Sequence, residues 1–195
     1  FAFGEFNGDV SNWDTGRLVN ADGMFEHSHF RGDVSRWNTW QLETAKNMFS
    51  NSPFNGDVSA WSTASLKNVS AMFESTPFQG DLSAWDVSGI TRFTGMFRLT
   101  NYAGDLSGWK ISQKADVSRM IGREARATIP LDWPLSRVDT LFPHPAARKE
   151  WMTNTKFKGL AAWECAQIKT RPAWFTKDEF KALQMSRDVL QQLGV

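Results

Sequence analysis

Apolar, glycine and aspartate positions recur every 24 residues over about the first two thirds of the chain. A leading aromatic residue is followed by Gly-Asp, by a tryptophan and then by an apolar pair, usually Met-Phe. Such self-similarity at a fixed period indicates a repeat protein, whose units must stack because none can bury its apolar face alone. The Gly-Asp pairs begin at residues 8, 32, 56, 80 and 104, and the tryptophans are Trp13, Trp37, Trp61, Trp85 and Trp109.

Each unit has the pattern of a strand followed by a bend and a short helical segment. Leu82, Trp85 and Val87 have the L-x-x-L-x-L spacing that marks the strand of a leucine-rich repeat. The apolar residues that follow, from Ile90 to Met96, step by three as one side of a helical turn does. The sequence therefore predicts an α/β repeat solenoid, a leucine-rich-repeat-like coil with one parallel β-strand centred near each tryptophan and one short helical turn per 24 residues.

The chain divides into three predicted segments. Residues 1–122 hold five regular repeats, and residues 123–175 hold two degenerate repeats with an insertion near 143–152. Residues 176–195 form a C-terminal helix that caps the array. The two degenerate repeats place a sixth strand near Ile129 and a seventh near Trp163.

The predicted C-terminal helix begins with a capping box, Thr176-Lys-Asp-Glu179. Two alternatives stay open here: this helix could dock on another protein, or a separate domain could begin at about Arg123. Because the chain starts inside a repeat unit, we also expect sequence upstream of Phe1.

The column of aspartates has a structural and a metal-binding interpretation. Each Asp can accept the amide of the Ser two residues later, as Asp81 and Ser83 would, in an Asx-type turn after a flexible glycine. The alternative is calcium at the loop edge. Each repeat offers one acidic residue at this position, whereas calcium takes six to eight oxygen ligands, so the turn is favoured and no metal site is predicted.

The motif F-N-G-D-[VL]-S-x-W, followed by apolar residues in steps of three up to Met-Phe, resembles a repeat family first described in Mycoplasma surface lipoproteins. That family is related to BspA-like leucine-rich repeats. The resemblance implies a leucine-rich-repeat-like coil used for adhesion or protein binding, with no catalytic residues to transfer. This chain departs from the family pattern at Thr15, Thr39 and Thr63, where valine is usual.

Composition and motifs give no sign of catalysis, cofactors or nucleic-acid binding. The formal net charge is +1, and no apolar run approaches the roughly 20 residues of a membrane span. No nucleophile elbow, phosphate-binding loop or zinc motif is present. The single cysteine, Cys165, is expected to be a buried apolar group, and His27 and His29 to be solvated loop residues. We predict no enzyme, cofactor or catalytic residue.

These observations favour a non-catalytic protein-binding or scaffold module, an accessory subunit of a larger assembly such as a membrane-associated complex. A cell-surface adhesin is the alternative, and an ice- or surface-binding solenoid, from the threonine column, is a weaker one. An extracytoplasmic or organellar location is favoured over the cytosol. The candidate partner-binding residues are Trp133, Arg148 and Trp151 in the C-terminal third, and Arg36, Asn38, Ser62 and Asp86 on the exposed repeat face.

Overall fold

The computed structural model of the protein describes residues 1–122 and residue 127. Within this part there is no α-helix and no β-strand of several residues. The chain instead runs through successive turns that are joined by single parallel β-bridges. The degenerate repeats over 123–175, the insertion near 143–152 and the helix over 176–195 lie outside the described residues, except that Ala127 is buried against the core.

Every parallel bridge in the described part joins residues that are 24 positions apart. Equivalent residues of successive 24-residue copies therefore lie side by side. We number the copies one to five, as residues 6–29, 30–53, 54–77, 78–101 and 102–122. The bridges link Asn20 to Thr44, Thr44 to Asn68, Asn68 to Arg92, Arg92 to Asp116 and Phe97 to Ile121.

In the later part of copies one to four, alternate backbone amides donate hydrogen bonds to the next copy. The amides between them donate three residues back along their own chain, as Met48 N–H does to the Ala45 carbonyl at 3.2 Å. The backbone amides in this later part of the copy thus donate partly within a turn and partly to the neighbouring copy, as buried backbone groups must. In the second copy the donors are Ala45, Asn47 and Phe49, and their acceptors are the carbonyls of Asn68, Ser70 and Met72, at 2.8–3.1 Å.

Two left-handed backbone positions recur in this segment. Glycine adopts this conformation most easily, whereas a left-handed conformation costs other residues roughly 1–2 kcal/mol. Non-glycine residues occupy most of these positions, so the cross-copy hydrogen bonds must hold them in place. The first column is Gly23, Asn47, Ala71, Gly95 and Arg119, and the second is Phe3, His27, Asn51, Ser75 and Leu99, with φ between 50° and 66°.

Aromatic rings stacked on their own copies form the core. Two phenylalanine columns run through the copies, one from the leading aromatic position and one from Met-Phe. Neighbouring rings within a column have centroids 5.8–6.3 Å apart. Rings of the two columns meet where one copy continues into the next, as Phe49 and Phe54 do at 3.7 Å. The columns are Phe6, Phe30, Phe54, Phe78 and Tyr102, and Phe25, Phe49, Phe73 and Phe97.

The tryptophans form a third column, which also carries hydrogen bonds between copies. The Trp37 and Trp61 rings are 6.2 Å apart and nearly parallel. Each indole N–H from the second copy onward donates to a carbonyl of the preceding copy at 3.0 Å, as Trp61 does to Val34. Trp61 and Trp85 are both buried, since each is only 4% exposed.

The structure differs from the sequence analysis in where the backbone pairs. A strand is expected near each tryptophan, but the residues before it form a turn, in which the Trp61 amide donates to the Val58 carbonyl. The parallel bridges lie in the later segment, where a helical turn is expected, at Asn68 for example. The spacing of apolar residues identifies the inward-facing positions. It does not show whether the backbone that pairs with the next copy is a strand or a turn.

The glycine of each Gly-Asp pair has a role that the sequence analysis misassigned. Its φ is not left-handed in Gly32, Gly56 or Gly80, so conformational freedom is not what the position needs. The ring of the leading aromatic two residues earlier lies over the glycine instead. A β-carbon on Gly56 would come within 2.7 Å of the Phe54 ring.

Candidate interaction surface

Side chains around each tryptophan alternate between the core and the solvent. In the second copy Val34, Trp37 and Thr39 are buried, whereas Arg36 and Asn38 are exposed. The buried members pack on their copies in the neighbouring turns. The exposed members of successive copies consequently form rows on one side of the molecule, on a backbone that the core holds in place.

The structure brings together three of the candidate residues that the sequence singled out. Asn38, Ser62 and Asp86 occupy the same position in the second, third and fourth copies, and all three are exposed. Threonine hydroxyls connect their backbones: Thr39 donates to the Ser62 carbonyl at 3.1 Å, and the next threonine in the column donates to the Asp86 carbonyl at 3.0 Å.

The fourth candidate of the repeat face, Arg36, precedes Asn38 by two residues and is also exposed. The remaining candidates, Trp133, Arg148 and Trp151, lie outside the described residues.

Asn38 and Asp86 also accept hydrogen bonds from the turn that follows each of them. The Asn38 side-chain oxygen accepts the Trp40 amide at 3.5 Å. The Asp86 carboxylate accepts the Ser88 hydroxyl at 2.6 Å and the Ser88 amide at 3.0 Å. These bonds, the hydroxyl bond first, lower the pKa of Asp86. These hydrogen bonds hold the Asn38 and Asp86 side chains against the turn that follows.

Trp40 is a surface residue that the candidate set omits. Its side chain is 54% exposed, while its carbonyl accepts the Ser65 hydroxyl of the next copy at 2.7 Å. The same position holds Gly16 in the first copy and Ala64 in the third, so packing between copies does not require an indole there. A large aromatic residue where the other copies have small ones is the signal by which the sequence could have identified it. We call Arg36, Asn38, Trp40, Ser62 and Asp86 the exposed row.

The threonine column faces the interior. Thr15, Thr39 and Thr63 are buried, and the hydroxyls of Thr39 and Thr63 bond to carbonyls of the next copy. The Thr15 hydroxyl accepts the Asn38 amide at 2.8 Å. The hydroxyls that an ice-binding surface would present are thus used between copies.

The aspartate column forms the predicted Asx turns. Each Asp side chain accepts the amide of the serine two residues later, at 2.8–2.9 Å in all five copies. The serine amide, and next its hydroxyl, lower the pKa of Asp9, Asp33, Asp57 and Asp81. Within residues 1–122 and 127, no group of three or more His, Cys, Asp or Glu side chains is arranged to hold a metal ion.

The repeat pattern also matches a known family. A family model described as "Mycoplasma protein of unknown function, DUF285" matches the chain twice, at residues 2–77 and at residues 30–133. The two matches together span about two thirds of the sequence. The chain belongs to the DUF285 family. Neither the curated proteins nor the solved structures contain a significant match to it.

Other polar groups of this DUF285 chain serve contacts between copies. The largely buried Glu74 forms an ion pair with Arg98 of the next copy. Tyr102 donates its hydroxyl to the Gly80 carbonyl at 3.3 Å, and burial raises its pKa. His27 stacks on Phe3 with centroids 4.8 Å apart.

No helix in the described part of the DUF285 chain has the length and apolar character to traverse a bilayer.

Proposed function

We propose that this DUF285 chain is a non-catalytic protein-binding module that acts as a scaffold or linker, an accessory structural subunit of a larger assembly. The observation that carries the proposal is Trp40, an indole more than half exposed on a backbone tied to the neighbouring copy. Arg36 and Asn38 precede it by four and two residues and are also exposed.

The architecture we propose is a leucine-rich-repeat-like solenoid, similar to the Mycoplasma-lipoprotein and BspA-like repeats. Supporting this are the parallel bridges at a constant 24-residue separation and the cross-copy hydrogen bonds that accompany them. In a solenoid each repeat contacts only its neighbours, and the stack offers an extended face to a partner. The exposed row lies along such a face.

The chemistry of the exposed row suits a protein partner. Tryptophan and arginine dominate the residues whose truncation costs protein complexes most of their affinity. A partner that covers Trp40 would remove a large apolar surface from water, while Arg36 and Asn38 would supply hydrogen bonds at its edge. Because the backbone is already held by cross-copy bonds, little ordering is required when the partner binds.

A photo-crosslinking experiment can identify the partner and test the site. A photoreactive phenylalanine analogue replaces Trp40 in the full chain, the protein is exposed to its native extract, and the crosslinked protein is identified and purified. Binding of that protein is then measured by calorimetry for the unmodified chain, for Trp40→Ala and for Leu99→Ala. Leu99 is the matched control, since it is an exposed apolar residue outside the row.

We expect Trp40→Ala to weaken binding by at least about tenfold, as a hot-spot truncation does, with Leu99→Ala close to the unmodified chain. Unchanged affinity of Trp40→Ala would refute the site. A variant lacking residues 143–152 tests the other prediction, in which the partner binds the C-terminal third through Trp133, Arg148 and Trp151. If that deletion abolishes capture while Trp40→Ala does not reduce it, binding belongs to the C-terminal third.

A further inference from the structure

The exposed row belongs to a wider face that is made of three rows, each with one residue from every copy. Successive copies lie side by side, so the residues of a row follow one another along the stack. All of them are exposed except Gly16, which is half-buried. We call the three rows together the row face. The arginine row is Asn12, Arg36, Ala60, Ala84 and Gly108; the middle row is Asp14, Asn38, Ser62, Asp86 and Lys110; and the tryptophan row is Gly16, Trp40, Ala64, Ser88 and Ser112.

Large and small side chains are distributed unevenly over the row face. The largest side chains of the two outer rows, Arg36 and Trp40, both belong to copy two. Copy four has Ala84 and Ser88 at the same two positions. Copy three, the middle one of the five, has small side chains across the whole face, namely Ala60, Ser62 and Ala64.

This distribution fits a second molecule of the same chain turned end for end. A twofold axis in the plane of the face, across the stack at copy three, sets copy two of one molecule against copy four of the other. Each row then meets itself. Arg36 lies opposite Ala84, and Trp40 lies opposite Ser88, so each large side chain meets a small one. An interface closed by a twofold axis requires self-complementarity of this kind.

The charges of the middle row favour the same arrangement. Copy one faces copy five, so Asp14 of one molecule lies opposite Lys110 of the other, and the twofold axis forms this pair twice. Asn38 lies opposite Asp86, where its amide nitrogen can donate to the carboxylate. Two molecules with their stacks in the same direction would instead set Asp14 against Asp14 and Asp86 against Asp86. Like charges that face one another across an interface cost affinity.

We propose that the protein partner of the exposed row is a second copy of this chain, bound through the row face in the antiparallel arrangement centred on copy three. The inference rests on the proposed function, because it names the partner of the same site. A scaffold subunit that pairs in this way links the two halves of a symmetric assembly.

Sedimentation equilibrium of the purified full chain, over about a hundredfold range of concentration, measures self-association in the absence of any other protein. A reducing agent prevents Cys165 from joining two chains. Asp14→Lys and Lys110→Asp each set like charges against one another, and Trp40→Ala removes the largest side chain of the face. Glu43→Lys is the matched control, since it makes the same change of charge as Asp14→Lys at an exposed position outside the row face. Thermal unfolding of each variant checks that it is folded.

We expect the unmodified chain to form a dimer as its concentration rises. The dissociation constant should increase at least about tenfold in Asp14→Lys, Lys110→Asp and Trp40→Ala, and should not change in Glu43→Lys. An equimolar mixture of Asp14→Lys and Lys110→Asp should dimerise about as tightly as the unmodified chain. In that mixture a molecule of one variant restores both charge pairs with a molecule of the other.

A chain that stays monomeric at every concentration would overturn this inference. It would leave the proposed function standing, because that depends on the capture of another protein at Trp40. Dimerisation that the two charge variants do not weaken, or that their mixture does not restore, would also overturn the antiparallel pairing. So would dimers that are as tight in Trp40→Ala, because the row face would then not be the contact.

Discussion

The glycine and the aspartate of the Gly-Asp pair have separate physical roles. The glycine leaves room for an aromatic ring, since the Phe54 ring occupies the space that a β-carbon on Gly56 would need. The aspartate holds the turn through the amide of the serine two residues later, as Asp57 does with Ser59 at 2.8 Å. The sequence predicts the second role from turn chemistry. It does not predict the first, which depends on where a ring two residues earlier is packed.

Replacing Gly56 with alanine should destabilise the protein by about 1–3 kcal/mol, the usual cost of an overpacked core. Phe54 is fully buried in a stacked column and cannot move aside freely. Gly108 is the matched control, because a β-carbon there would meet nothing within 4 Å. Urea unfolding of Gly56→Ala and Gly108→Ala should therefore give unequal losses. Similar midpoints for the two variants would contradict the ring-over-glycine packing.

The aspartate column should make stability depend on acid pH. Hydrogen bonds from the Ser59 amide and then its hydroxyl lower the pKa of Asp57 in the folded protein. A group with a lowered folded pKa contributes stability that is complete above its unfolded pKa of about 3.9. That contribution is lost as the pH falls through the folded pKa.

Asp57→Asn keeps an oxygen for the serine amide but cannot titrate. We expect its urea midpoint to fall less than that of the unmodified chain between pH 5 and pH 2.5, values chosen to span the unfolded pKa. Parallel declines of the two proteins would show that this carboxylate does not contribute to the acid sensitivity.

At the scale of the element, the sequence predicts which positions face inward but not which backbone segments pair. Val58, Trp61 and Thr63 are buried as their spacing indicates. The pairing in the later segment depends on left-handed residues, and these are chemically unlike from copy to copy: Asn47 in one and Ala71 in the next. Because glycine, asparagine, alanine and arginine all occupy this position, no residue pattern in the sequence marks it as left-handed.

The tryptophan column gives the element its sharpest test. Trp61→Ala removes a buried ring and its hydrogen bond to Val34 in the preceding copy, at a cost of about 3–5 kcal/mol. Trp40→Ala removes a ring that is mostly in solvent and should cost much less. Thermal denaturation of both variants measures the difference. Comparable losses would mean that the assignment of Trp61 to the column and of Trp40 to the surface is incorrect.

At the scale of the whole molecule, the 24-residue period predicts the columns of the core and much of the exposed row. Arg36, Asn38, Ser62 and Asp86 follow from alternation around each tryptophan, and the structure places all four on the surface. Trp40 could not be included by periodicity, because it departs from the repeat rather than following it.

The central claim is that successive copies stack in order, each directly beside the next. Spin labels on cysteines introduced at four exposed positions test this most directly, with Cys165 replaced by serine so that only the introduced cysteines are labelled. These positions are Arg36, Ala60, Ala84 and Gly108, which are equivalent in copies two to five. The pairs are 60 with 84, 36 with 84 and 36 with 108, which are one, two and three copies apart. Stacked copies predict separations that grow by about 5 Å per copy, so dipolar broadening in frozen solution should decrease in that order. Broadening that is absent for 60 with 84, or as strong for 36 with 108, would contradict the stack.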